Sequence, residues 1–209
     1  MSIIKATDIS CQRGQFDLFK PVSFELSHGQ SLLISGPNGI GKTTLLESIA
    51  GLRAIQQGGI SYQDIELSKN KDSWFNDSFF IGHKTGNKKE LNCLENLRLF
   101  LQIQGIEVTE TQAEDALEQV GLSGYEYQFS GSLSAGQKKR LALARLLLIQ
   151  HVVWILDEPF VNLDVSGCAW LLTVLKKHIN NKGVLIITAH DNQSIRKEIT
   201  HELLLEMAS

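Results

Sequence analysis

A chain of 209 residues, 43% hydrophobic and 21% charged, can bury one substantial core, or a core with a small appended lobe. Its 20 basic and 23 acidic residues leave a formal charge of −3, which removes any whole-molecule argument for nucleic acid or anionic membrane. The start, MSIIKATDIS, lacks the apolar core of a secretory signal, no apolar run is long enough to span a bilayer, and Cys11, Cys93 and Cys168 form no CxxC pair. The expectation is a protein with reduced thiols in a reducing compartment, serving any membrane process through a partner.

In chain order, Val22 to Leu26 alternates apolar and polar residues as a half-buried strand does. Ser31 to Ser35 (SLLIS) is apolar on both faces, the mark of a buried parallel strand. It runs into Gly36-Pro37-Asn38-Gly39-Ile40-Gly41-Lys42-Thr43, which fits G-x-x-x-x-G-K-[ST] at every fixed position, with Thr44 following. A helix is expected over Lys42 to Ala50, with Gly51 placed to end it. The strand and the helix supply the context that this pattern requires. Glycines let the backbone turn inward so that its N–H groups surround a phosphate. The helix start adds roughly half a positive charge, Lys42 reaches the β- and γ-phosphates, and Thr43 offers its hydroxyl to Mg²⁺. A nucleoside triphosphate is the implied ligand.

Gly59 to Tyr62 and Ser78 to Gly82 read as further strands, and the alternating strands near the N-terminus suggest a smaller antiparallel sheet. From about Leu91 to Leu148 strand signal fades, so this stretch reads largely as a helical insertion into an α/β core. Within it, Thr109 and Gln112 make a capping box that opens a helix to Val120, stopped by Gly121. Ser134 and Gly136 begin another helix, with N-terminal amides free to hold an anion. Leu141 to Ile149 reads as an amphipathic helix. Val152 to Leu156 is an apolar strand ending in Asp157 and Glu158, which need not share one task because successive strand residues face opposite ways. Asp157 is the natural ligand on the Mg²⁺ side, usually through water, and Glu158 is placed to orient or deprotonate an attacking water. A helix from Val165 to Asn180, a strand from Gly183 to Thr188 and a strand from Glu202 to Met207 complete the chain. One domain is expected, with about 1–90 and 150–209 as the α/β core and about 91–149 as the helical part.

Leu133-Ser134-Ala135-Gly136-Gln137, followed by KKRLALARLLL, resembles the LSGGQ signature of ATP-binding cassette proteins, with Ala135 in place of one Gly. The resemblance implies a P-loop ATPase fold with an antiparallel β subdomain and an inserted α-helical subdomain. It also implies a homodimer in which Ser134, Gly136 and Gln137 touch ATP held by the opposite copy. Phe160 to Asp164 is similar to the family's D-loop, with Asp164 toward the partner copy, and His190 to its switch histidine at the γ-phosphate. Two positions depart from the pattern. Lys84 stands where a glutamine usually helps hold Mg²⁺ and water; an ammonium is donor-only, so it either contacts phosphate or leaves the metal to Thr43, Asp157 and water. Arg13, with Phe16 close by, aligns with the usually aromatic adenine platform, and an Arg plane can stack on a base.

The stretch Ile81 to Leu97 resembles the GHxxGxKxxLTxxENL segment of the cytochrome c maturation, or haem exporter, ATP-binding family. That implies an ATPase using ATP and Mg²⁺ to drive a membrane complex in c-type cytochrome biogenesis, by haem export or by release of a haem-loaded chaperone. Two ATPase copies would lie under two integral-membrane subunits, peripheral to a bacterial inner membrane on its cytoplasmic side. The alternatives are a subunit of another transporter, or a soluble cassette ATPase acting on ribosomes or DNA. The basic runs Lys88-Lys89 and Lys138-Lys139-Arg140 are too short for nucleic acid and read as solvated helix faces. His83, without a c-type attachment motif, reads as structural.

Overall fold

The computed structural model describes residues 2–189 and 193–208. The strands are β1 (Ile4–Ser10), β2 (Gln12–Arg13), β3 (Phe16–Asp17), β4 (Val22–Leu26), β5 (Ser31–Ser35), β6 (Gln57–Tyr62), β7 (Ile65–Glu66), β8 (Ser78–Ile81), β9 (Val153–Leu156), β10 (Val184–Thr188) and β11 (His201–Leu204). The helices are α1 (Lys42–Ile49), α2 (Lys71–Asp77), α3 (Cys93–Ile103), α4 (Glu110–Gln119), α5 (Ala135–Ala144), α6 (Val165–Asn180) and α7 (Gln193–Arg196). Two compact units emerge: residues 1–83, 151–158 and 175–209 form the first, and residues 84–150 and 159–174 the second. The chain passes from the second to the first within α6.

In the first unit a five-stranded sheet runs β11-β5-β10-β9-β8, all parallel. Every residue of β5, β9 and β10 is buried, as their two-sided apolar sequences demand. A four-stranded antiparallel sheet, β4-β1-β6-β7, lies in the same unit. Ile4, Leu26 and Ile60 from this sheet, Leu32, Ile34 and Ile155 from the parallel one, and Leu45, Leu46 and Ile49 from α1 share one core. Each such side chain contributes roughly 1.5–3 kcal/mol by leaving water. β1 is hard to read as a strand because its alternation breaks at Thr7-Asp8, where the pairing register shifts and Asp8 takes φ 46°. The last strand was expected over Glu202 to Met207 but ends at Leu204. Its partner β5 gives way to the phosphate loop after Ser35, so the final bond is Leu205 N–H to Ser35 O, and Met207 bridges Phe19 instead.

The second unit holds α3, α4 and α5, which pack pairwise on one another. All three open with complete capping boxes: Asn92 with Glu95, Thr109 with Gln112, and Ser134 with Gln137. Leu94, Leu97, Leu101, Ala113, Leu117 and Leu141 are buried. The helix start read at Ser134 and Gly136 and the stretch read separately as Leu141 to Ile149 belong to one helix, α5, which begins at Ala135 and gives way to a 3₁₀ turn over Arg145–Leu147. The polar run Gly136 to Arg140 has no apolar period to join the two stretches, while the Ser134 cap fixes where the helix starts.

Candidate active site

The site in the first unit lies where three neighbouring parallel strands end, the position at which open α/β sheets bind ligands. β5 delivers the loop 36–41, β9 delivers Asp157 and Glu158, and β10 delivers Thr188. Gly39 and Gly41 take φ 81° and 109°, a left-handed region that costs an L side chain strain, so the loop can wind inward. Unlike α3, α4 and α5, α1 has no side-chain cap, and its first turn carries no acidic residue, so no side chain competes with an anion for its leading amides. Pro37 has no N–H to offer and its carbonyl accepts from Ile40 N–H at 3.4 Å, while the Ile40 side chain is buried in the core. These two residues shape the loop. Lys42 is buried, and its ammonium donates to Gly36 O (2.8 Å) and Pro37 O (3.1 Å), which pins the charge across the loop and leaves a third donor.

Asp157 is the centre of the second group. The carboxylate, 2% exposed, accepts from the Thr43 hydroxyl on one oxygen and from the Thr188 hydroxyl on the other, each at 2.7 Å. Thr188 Oγ1 in turn accepts from Glu158 N–H at 2.9 Å. One threonine thus ties down both acidic residues. Hydrogen bonds to a charged group contribute about 1.5–3 kcal/mol each, so this triangle fixes Asp157 firmly. Glu158 adopts φ 45°, an uncommon conformation for a residue with a side chain, and is only partly buried. Thr188 carries no motif signal of its own; its place at the end of an apolar strand beside the acidic one is all the sequence offers.

A cleft of about 330 Å³ joins these groups. Arg13, Asn38, Thr44, His83, Asp157 and Glu158 line it together with the loop residues Gly39 to Thr43 that face it. Arg13 reaches this cleft from the β2–β3 hairpin, where it pairs directly with Phe16, whose ring is 80% exposed. His83, read from sequence as structural, also borders the cleft. His190 lies outside the described residues. Lys84, exposed, belongs to the second unit.

In the second unit the start of α5 presents Ser134, which caps Gln137 N–H at 3.2 Å, while Gln137 Oε1 accepts from Ser134 N–H at 2.9 Å. A side chain at Gly136 would place its Cβ 2.9 Å from Asn162 O, so glycine is needed there for close approach of the 160–164 loop. Ala135, the departure from the LSGGQ pattern, is exposed and meets no such limit. The Asp164 carboxylate accepts from Gly167 N–H at the start of α6, from Ser166 and from Arg140.

The sequence model of the ABC transporter family matches residues 19–161. The cytochrome c biogenesis ATP-binding export protein CcmA of Methylococcus capsulatus is 41% identical over 191 residues, covering 91% of this chain and 92% of its own. Its namesake in Hahella chejuensis is 40% identical over 197 residues, covering 94% and 93%. Among solved structures, a putative ABC transporter ATP-binding protein from Pyrococcus furiosus superposes with a TM-score of 0.82 at 25% identity, covering 97% of this chain and 96% of that one.

Proposed function

The chain belongs to the ABC transporter family, and from that premise we propose that it hydrolyses ATP to energise the export machinery of cytochrome c biogenesis. The observation that carries the catalytic part is the carboxylate of Asp157 held between the hydroxyls of Thr43 and Thr188 at the mouth of a phosphate loop. The loop amides and the start of α1 receive the triphosphate, and the remaining donor of Lys42 turns to its β- and γ-oxygens.

The donor set fits Mg²⁺: Thr43 and Asp157 present hard oxygen atoms within 2.7 Å of one another. No cluster of three or more His, Cys, Asp or Glu that could cage a metal occurs among the described residues, and Mg²⁺ at a nucleotide site needs none, since phosphates and water complete its shell. Held by Thr43 and Asp157, Mg²⁺ would offset the charge that develops on the phosphates.

Glu158 orients a water in line with the γ-phosphorus and accepts its proton as the bond to the β-γ bridging oxygen breaks. Ser134, Gly136 and Gln137 of a second copy close over the γ-phosphate; the switch role that the resemblance gives His190 falls outside the described residues. Arg13, with Phe16 beside it, faces the base. Two such ATPases act beneath two integral-membrane subunits, at the cytoplasmic face of a bacterial inner membrane. The relatives named as export proteins support this placement.

The decisive variant is Glu158→Gln, which keeps the shape of the side chain and removes the base. ATP affinity should hold while hydrolysis drops by about 10²–10⁴-fold. Wild-type turnover in this variant would remove Glu158 from the mechanism.

A further inference from the structure

Outside the nucleotide cleft, a buried polar network lies in the second unit, around a cation that the hydrolysis chemistry does not use. Arg145 is 3% exposed and sits at the C-terminal end of α5. Its guanidinium carbon lies 4.0 Å from the centre of the Phe100 ring. One terminal nitrogen donates to Thr85 O at 2.9 Å and the other to Asn87 Oδ1 at 2.7 Å, while Nε has no partner. Burial alone pulls this group down to about 10 from its usual range. Burying a guanidinium costs several kcal/mol, and an apolar side chain of similar size would fill the space at lower cost. The two aimed donors therefore call for an explanation beyond packing.

Asn87 gives one. Its amide nitrogen donates to Lys138 O at 2.9 Å, about two helical turns before Arg145 on the same helical run. The loop is therefore fastened at both ends of α5. Its exit is held as firmly: the Asn96 side chain, 3% exposed, accepts from Lys88 N–H at 2.7 Å and donates to Lys88 O at 3.0 Å, and Ser130 Oγ donates to Lys88 O at 2.7 Å. The start of α5 carries Ser134 and Gly136, and α5 also carries the 160–164 loop through Gly136 and Arg140.

We infer that Arg145 and Asn87 are positioning residues that fasten the loop 85–88 to α5 and so set the orientation in which Ser134 and Gly136 meet ATP on a second copy. Movement of the loop then turns the helix start as one body. The inference rests on the proposed sharing of ATP between copies, and extends it to two residues remote from the nucleotide. Arginine is specified because a planar fork reaches Thr85 O and Asn87 Oδ1 together; a lysine ammonium is a single point of charge.

The test uses the full chain carrying Glu158→Gln, so that bound ATP persists, and reads two quantities: nucleotide affinity, and the ATP concentration at half-dimerisation by analytical ultracentrifugation. Adding Asn87→Ala or Arg145→Lys should leave ADP affinity within about twofold and raise the dimerisation midpoint on the order of tenfold. The two changes combined should do less than the sum of each alone, because both remove the bond between Arg145 and Asn87. Asn87→Ala, which leaves the buried cation in place, guards against a folding defect in the arginine variant. An unchanged midpoint in Asn87→Ala overturns the inference, and so does a parallel loss of ADP affinity. Failure of the Glu158→Gln parent to dimerise with ATP would instead strike at the shared-site reading itself.

Discussion

The Thr188 hydroxyl gives one hydrogen bond to Asp157 and takes one from the backbone of Glu158, so a single buried oxygen sets both acidic residues. Thr188→Val keeps the shape and removes that oxygen. It leaves a carboxylate oxygen short of a donor and an amide short of an acceptor, a loss of about 1–3 kcal/mol for each group left buried without its partner. The expected result is a clear fall in melting temperature, together with a drop in kcat on the order of tenfold from misplacement of Glu158, at little-changed ATP affinity. Calorimetry and steady-state ATPase assays read the two; wild-type kcat in a folded Thr188→Val protein would mean that the threonine only packs. Thr188 also marks the limit of sequence reading at this scale. Gly36 to Thr43, Asp157 and Glu158 announce themselves because their residue types and spacing are dictated by phosphate and metal chemistry. A hydroxyl that acts through other residues has no spacing rule, and neither has His83, which reaches the cleft through the path of the chain after β8.

Where α6 ends, a stacked pair joins that helix to the parallel sheet. The His178 ring lies 3.8 Å from that of Trp154 on β9, at 8° between planes, and its Nε2 contacts Val184 O at 3.2 Å. Gly183 is required beneath it, since a Cβ there would come within 2.3 Å of the imidazole. Burial pushes the imidazolium down to about 4, against the pull of the carbonyls of Val184 and Val152. The folded value lies below the unfolded one, so the unfolded chain binds the extra proton first. Stability is full above about pH 6.5 and declines as pH falls toward 4, by roughly 3 kcal/mol in all. His178→Phe keeps a stacked ring and removes the titration. Urea unfolding at pH 7.5 and 4.5 should therefore show a smaller acid loss in the variant than in the parent; equal losses would assign the acid sensitivity to other groups. Elements with a strong period or cap were legible at this scale: β5 and α6 have the bounds read from the sequence, and the Thr109 capping box is as expected. The continuity of α5 from its capped start into the Leu141 stretch and the bulged β1 were not, because a polar run and a register shift both erase periodicity.

For the molecule as a whole, the formal charge is −3, and no helix among the described residues is long and apolar enough to cross a membrane. Electrostatic adhesion to an anionic leaflet is worth about 1 kcal/mol for each basic residue near the surface, and here 20 basic residues are outnumbered by 23 acidic ones. Apolar insertion needs a buried stretch that no described helix supplies. The proposed attachment to membrane subunits runs through protein contacts, which alkaline carbonate disrupts while leaving spanning segments in place. The purified chain should not sediment with vesicles rich in anionic lipid, even at low salt, where surface attraction is strongest. In cells that also make the membrane subunits, the chain should sediment with the membranes and then be released by carbonate. Sedimentation with protein-free vesicles would show that the chain recognises lipid directly, and retention after carbonate would show a hydrophobic anchor; either result would remove the peripheral, partner-held placement on which coupling of ATP hydrolysis to export depends.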